Sequence, residues 1–437
     1  MYIKGSKWSM QRKRRTVNPF RVLLILLFVA ALILFDRMVV PAIPQLFVYT
    51  PTPTRAPESF ITEAEILAEE GRYSLAIQTY NQAVLADPRN PASYLALARL
   101  NIYTANYEEG VKNAENVLMI NKNNDTALAL LGWAYGLAGD YIKAVGTLEE
   151  AIAINKDNAE AYAYLTEVYV YMMAAGQGPL DVLDLAREAS RRAVELAPNS
   201  LATHRARGFL LNWTANYEEA VVEFENAIKI NPNIAVLHLE LGNNYRAIQE
   251  YDKAITEYSK ANSLNPNDPT PLTSISRTYF TNGDYAKAIQ YAEAAVALVP
   301  GDATLHGNLG LIYWKNRQLL DAVDALRLAV RGGTTADGVT VSGLELDYGR
   351  VGEYYYTYGL ALARTSQCGE ALQIAQAVAT GMRNDDIAQY NAQEVILICE
   401  QLAKQGIADL PTSTPFAALE DTPDPFETTD PLETPAP

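Results

Sequence analysis

Between residues 57 and 405 apolar positions fall three and four apart, the spacing that gathers them on one face of an α-helix, and polar turns interrupt them regularly. The stretch LGNNYRAIQEYDKAITEYSKANSLNPND (241–268) lies over LGWAYGLAGDYIKAVGTLEEAIAINKDN (131–158) without a gap. Leu-Gly, the Tyr three residues on, and then Tyr, Ala, Ala and Asn all coincide. The frame repeats every 34 residues, with units starting at Pro57, Pro91, Asp125 and Ala159, and after an eight-residue insertion at Leu201, Ala235, Pro269 and Ala303. A ninth pair starts near Gly352, and Asp386 to Gln405 reads as a closing helix.

Each unit predicts two antiparallel helices. Small residues such as Ala254 and Ala261 let the two approach closely, Tyr and Leu fill the space between neighbouring pairs, and prolines at 88, 198, 232, 266 and 300 stop the second helix. No pair buries its apolar face alone, so the pairs must stack. The pattern L-G-x-x-Y, A-x-x-x-F and closing Pro resembles the tetratricopeptide repeat family, and Leu241, Gly242, Tyr245, Ala254, Tyr258, Ala261 and Pro266 carry it in the sixth unit. The resemblance implies an all-α, right-handed superhelical solenoid of about nine pairs plus a capping helix. It also implies a concave groove that holds an extended peptide or a partner helix.

Two departures stand out. AAGQGPLD (174–181) predicts a lengthened turn inside the fourth unit. In 332–351, Val339 and Val341, then Leu344 and Leu346, alternate about Ser342-Gly343; a small hairpin and an ordered loop both fit.

The chain before the array differs in kind. A basic head (1–19) leads into Val22 to Phe35, fourteen unbroken apolar residues, and Phe20 to Val40 spans ~30 Å as a helix at ~1.5 Å per residue. We read 20–40 as an uncleaved signal anchor; a cleaved signal peptide is the competing reading, weakened by the lack of a clear A-x-A site. Seven cations and no acid lie in residues 1–21, which places the head in the cytoplasm and the array outside, in the cell envelope. A Pro/Thr-rich linker (41–56) follows, and an acidic Pro/Thr-rich tail (406–437) is expected to be disordered.

With a formal net charge of −16, more negative still once the head is set aside, nucleic acid is not an expected partner. The two cysteines, Cys368 and Cys399, fall where the start of one helix meets the end of its antiparallel successor, and an extracytoplasmic location favours a disulfide over two buried thiols. His204, His238 and His306 share the fourth position of their units, the large aromatic site of the consensus, and read as packing residues. No phosphate loop, G-x-S-x-G elbow or H-E-x-x-H occurs, so no catalytic residue, metal, cofactor or small-molecule substrate is expected.

Binding is the remaining activity, and the frame says where. On the first helix of a unit, positions 4, 7, 8 and 11 fall at about 40, 340, 80 and 20 degrees and form the buried stripe. Positions 2, 5, 9, 12 and 13 fall on the opposite side, which lines the groove in the family the chain resembles. In units five to eight these positions include Arg205, Phe209, Asn212, Trp213, Asn243, Arg246, Arg277, Phe280, Trp314 and Lys315, and no acid. Units one to four place Glu58, Glu65, Glu69, Glu160 and Glu167 there against Arg99.

A groove acidic at one end and cationic-aromatic at the other suits an acidic, extended protein or peptide. Ordinary solvated residues are the competing reading. Three functions follow: a membrane-anchored scaffold, a structural spacer of the envelope, or a non-catalytic subunit of an envelope glycan or secretion complex.

Overall fold

The structure, a computed structural model, describes residues 18–38 and 55–407, which fall into two compact units on either side of the Arg55–Ala56 bond. Most of the basic head, most of the Pro/Thr-rich linker and nearly all of the acidic tail lie outside the described residues.

The first unit contributes helix α1 (Pro19–Met38). Proline opens it, where a missing N–H is harmless, and the Asn18 carboxamide accepts from the Phe20 amide at 3.1 Å. The side chains described in α1, Pro19 to Leu34, are exposed and apolar except for Arg21. Helix α1 covers most of the span expected over 20–40, but among the described residues no helix is long and apolar enough to cross a membrane.

The second unit is a stack of helix pairs. The first four are α2 (Pro57–Glu69) with α3 (Tyr73–Ala86), α4 (Pro91–Tyr103) with α5 (Tyr107–Ile120), α6 (Asp125–Leu137) with α7 (Tyr141–Ile154), and α8 (Ala159–Ala174) with α9 (Val182–Leu196). Next come α10 (Leu201–Trp213) with α11 (Tyr217–Ile230), α12 (Ala235–Ala247) with α13 (Tyr251–Leu264), and α14 (Thr270–Thr281) with α15 (Tyr285–Leu298). The last are α16 (Ala303–Lys315) with α17 (Leu319–Arg331) and α18 (Arg350–Arg364) with α19 (Cys368–Gly381), closed by α20 (Asp386–Lys404). Each helix from α2 onward packs on the next in sequence, and several even-numbered helices also touch directly, as α6 with α8, α8 with α10 and α18 with α20.

Local chemistry explains the regularity. Asn90, Asn124, Asn158, Ser200 and Asp302 cap α4, α6, α8, α10 and α16, each side chain accepting an amide of the first turn. The turn inside each pair is closed by a six-to-one hydrogen bond, as from Asp140 N–H to Tyr135 O at 2.9 Å, around one left-handed residue. Gly139 supplies that residue at φ 89°, whereas Ala105, Ala215, Gln249, Arg317 and Ser366 take the same place at φ 59–65°. Tertiary packing therefore imposes the turn even where the side chain disfavours it.

Close approach within a pair depends on glycine at the eighth position of the first helix. Gly208, Gly242 and Gly310 receive the side chains of Phe224, Tyr258 and Leu326. A Cβ on Gly242 would lie 2.6 Å from the Tyr258 ring, which is itself fully buried. Gly242→Ala is therefore expected to destabilise the array by about 1–3 kcal/mol through overpacking. Urea unfolding of the two proteins checks this, and an unchanged midpoint would refute it.

Two departures take their own form. The insertion in the fourth unit lengthens α8 to 16 residues as well as the turn after it, so Ala174 is still helical. The hairpin is present but turns elsewhere: β1 (Gly332–Thr334) pairs antiparallel with β2 (Thr340–Ser342), with Gly333 opposite Val341. Its reversal lies at 335–339, served by Gly338 at φ 81°, and not at Ser342-Gly343. Gly343 instead passes so close to the Arg331 backbone that a Cβ would sit 2.7 Å from it.

At the C-terminal end Cys368 opens α19 and Cys399 sits late in α20; the two are joined by a disulfide, with Cα atoms 5.5 Å apart.

Candidate functional site

The inward-facing side chains of the even-numbered helices do not form one continuous open groove. The stack curves far enough for its first pair to meet the turn between α11 and α12: Tyr73 Oη donates to Asn231 Oδ1 at 3.2 Å, and Asn233 Nδ2 donates to Glu69 O at 3.1 Å. Across the concave face the Arg99 fork of α4 reaches over α6 to Glu160 of α8, at 2.8 and 2.9 Å.

Deeper in, Trp133 of α6 stacks on Tyr164 with centroids 4.3 Å apart, and its Nε1 donates to Glu167 Oε2 at 2.9 Å. The Arg205 guanidinium lies 4.5 Å above the same indole, with Nε 3.1 Å from Glu167 Oε1. That last contact is an ion pair but not a directed hydrogen bond, so both atoms lack a donor–acceptor partner.

Glu167, Arg205 and Phe209 are 0%, 3% and 5% exposed, so the two groove residues expected at 205 and 209 are buried and not presented. The physical reason is curvature: the acids of the early units and the arginine of the fifth neutralise each other inside the array. Burial pushes the Glu167 carboxyl above the usual carboxylate range, opposed by Arg205 and the Trp133 indole. Beside this cluster a cavity of 140 Å³ remains, bounded in part by Tyr103, Tyr107, Tyr171, Arg205 and Leu239.

From the sixth pair onward the concave face stays accessible. Asn243, Arg246, Phe280 and Trp314 are half-buried and Arg277 is exposed. Tyr258 Oη donates to Asn243 Oδ1 at 2.9 Å and lies beside Arg246. Phe280 and Arg277 border a cleft of 40 Å³ together with Leu305, Ile312, Asn308 and Arg350. Burial, then the like charges of Arg246 and Arg350, lower the Arg277 pKa from the usual arginine value. Trp314 is covered by the Arg364 guanidinium at 5.0 Å. Half-buried Asn212 and exposed Trp213 end α10, and exposed Lys315 ends α16.

Arg350 and Asn308 escaped the sequence reading. Arg350 precedes the frame set at Gly352, because α18 starts two residues earlier, and Asn308 is not a groove position of that frame. Arg350 donates from Nε and Nη2 to Asn308 Oδ1 at 3.1 and 2.9 Å, and from Nη1 to Glu353 Oε2 at 2.7 Å.

The histidines do more than fill space. His238 Nε2 bonds Pro232 O at 2.8 Å and His306 Nε2 bonds Pro300 O at 2.9 Å, tying each helix to the turn before it. His204 and His238 each contact a glutamate, Glu223 and Glu257, at 2.6 Å. Among the described residues no group of three or more His, Cys, Asp or Glu is placed to hold a metal.

Comparison with known proteins follows the same frame. Tetratricopeptide repeat family models match residues 57–90, 125–158, 235–268 and 274–337. No curated protein matches the sequence significantly. Among solved structures, PilW, titled a widely conserved type IV pilus biogenesis factor, is 20% identical with a TM-score of 0.42, over 47% of this chain and 91% of its own. PilF of Pseudomonas aeruginosa is 20% identical with a TM-score of 0.39, over 58% and 96%. A tetratricopeptide repeat protein of Parabacteroides merdae is 16% identical with a TM-score of 0.37, over 59% and 98%. The segments that match tetratricopeptide repeat models are helix pairs, and they stack with their neighbours as an all-helical solenoid.

Proposed function

We propose that this protein is a non-catalytic scaffold that holds another protein along the concave face of repeats six to nine, outside the cytoplasm, tethered to the membrane through α1. One observation carries the binding part. In the second to fifth repeats part of the concave face is closed by the chain's own ion pairs and rings, whereas Arg246, Arg277 and Phe280 remain accessible, the last two beside a cleft. The tether is supported by the exposed apolar side chains of α1 and the seven cations ahead of or within its first turn. The disulfide supports the location, since such bonds persist in oxidising compartments.

The test is chemical cross-linking of the full-length protein in its own membranes, beside a variant carrying Arg246→Ala and Phe280→Ala. Phe280 also packs on Tyr285, so thermal melting of both proteins first fixes a temperature at which each is fully folded, and cross-linking is compared there. A protein partner cross-linked to the parent should fall by about tenfold in the variant, as expected of central anchor residues. Equal cross-linking in both, or none in either, would reject groove-directed binding and leave the spacer reading ahead.

A further inference from the structure

A small polar clasp joins the first helix pair to the turn between α11 and α12. Tyr73 Oη donates to Asn231 Oδ1, which also accepts from the Asn233 amide at 3.0 Å, and Asn233 Nδ2 donates to Glu69 O. Gly71, at φ 75°, lies against Asn233, and a Cβ there would come within 2.5 Å of Asn233 Cγ. The bonded residues are 158 and 164 apart in sequence, so the clasp forms only when the stack curves back on itself. Pro232 stands between the two asparagines, and its carbonyl accepts from His238 Nε2 at 2.8 Å. The other ring nitrogen, Nδ1, lies 2.6 Å from Glu257 Oε2 of α13.

Those two contacts decide where a proton sits. A carbonyl oxygen and a carboxylate both accept, so neither neutral tautomer of a ring 3% exposed satisfies both, whereas the imidazolium does. Among the described residues His204 meets an acceptor only at Nδ1, Glu223, and His306 only at Nε2, with Ala325 in the place of Glu257, so a neutral tautomer suffices for each. Burial, which raises the Glu257 carboxyl, is outweighed by its bonds to His238 and Lys260, the latter at 2.8 Å, so Glu257 lies below the usual carboxylate range and is ionised. The other charged groups around α12 are engaged elsewhere: Glu225 of α11 accepts from Tyr245 at 2.7 Å, and Arg246 and Arg277 of α14 act on Tyr258. Across the clasp Glu70 pairs with Arg72 at the surface, and burial pushes the Tyr73 hydroxyl up to about 12 against its bond to Asn231, so Tyr73 stays a donor.

We infer that His238 is a proton-dependent lock on this clasp: its imidazolium, bridging Glu257 and Pro232, holds the turn at 231–234 in the shape that grips the first pair, and loss of the proton frees the turn and releases that pair. The closed array binds a proton that the open one gives up, so closure is complete at the lower pH and is lost as the pH rises through that release. Glu257 acts in the opposite sense, its contribution disappearing only as the pH falls through its lowered pKa, so the clasp is tightest between the two. The 140 Å³ cavity lies along the same seam, between Tyr103 and Tyr107 of the second pair and Val236 and Leu239 of α12, and widens when the clasp opens.

The experiment follows amide exchange in the full-length protein in detergent from about pH 6 to about pH 9, corrected for the intrinsic exchange rate, beside ring-carbon NMR of its three histidines. Segments 69–73 and 231–238 should lose about tenfold in protection as His238 gives up its proton, while α6 and α7 keep theirs. Glu257→Gln offers an amide that donates to Nδ1 of a neutral ring, so this variant should keep the clasp protected with no dependence on pH. His238→Phe restores an aromatic ring without the bond to Pro232 and should exchange at the fast rate throughout. A His238 that titrates together with His306, or does not titrate in this range, overturns the inference. So does protection that stays constant while His238 titrates, or that falls equally in the parent and in Glu257→Gln.

Discussion

Glu167→Ala is expected to lower the unfolding free energy of the array by about 3–5 kcal/mol, the cost of breaking a buried ion pair from one side. The carboxylate is 0% exposed and serves two groups, the Trp133 indole and the Arg205 guanidinium. Its removal leaves Arg205, 3% exposed, with a full charge and without its ion-pair partner. The Trp133 indole, stacked on Tyr164, loses its hydrogen-bond acceptor as well. Urea unfolding followed by tryptophan fluorescence measures the loss. The double variant Glu167→Leu, Arg205→Met is the control: replacing both members with apolar residues of similar size should recover most of the loss, because the desolvation penalty disappears with the attraction. A single variant within about 1 kcal/mol of the parent would mean that water reaches the pair and that the concave face of the early repeats is open after all.

The second large effect is at the other end. The Cys368–Cys399 bond closes a loop of 31 residues over α19 and α20, and opening it should cost roughly 3–4 kcal/mol in the chain-entropy account. No repeat packs beyond α20 among the described residues, and Ile387 and Tyr390 on it are 64% and 70% exposed, so the bond stabilises a helix that lacks a neighbour on one side. With Cys368→Ala and Cys399→Ala, amide exchange should accelerate in α19 and α20 while α6 to α10 keep their protection. Uniform loss across the array would show that the end is not an independent opening unit. Alkylation in intact cells before lysis should find both thiols blocked; free thiols there would reject the extracytoplasmic location.

Much of the fold was legible because it is local. The 34-residue frame places helix starts within two residues of where they lie, Pro91, Asp125, Leu201, Ala235 and Ala303 among them, because caps and turn residues act over one helical turn. The two cysteines could be paired from the same frame, since their separation is set by two adjacent helices and the turn between them. The hairpin was legible only as a hydrophobic alternation. Which glycine turned the chain depended on where α17 ended and on the close passage of Gly343 past Arg331.

The candidate site divides in the same way. At about 100° per residue, position alone decides that Arg205, Arg246 and Arg277 point inward, so the sequence by itself determined the layer, the face and the charge pattern of the array. Whether an inward residue meets water, a ligand or another side chain was decided only by the tertiary structure. That outcome depends on the small rotation between successive pairs, summed over several of them, and no local pattern encodes the sum. In this protein the sum brings Glu167 against Arg205 and Glu160 against Arg99, which closes part of the early groove, while Glu58, Glu65 and Glu69 of the first pair stay exposed. It also carries Arg350, paired with Glu353, from outside the repeat frame to the side of Arg277.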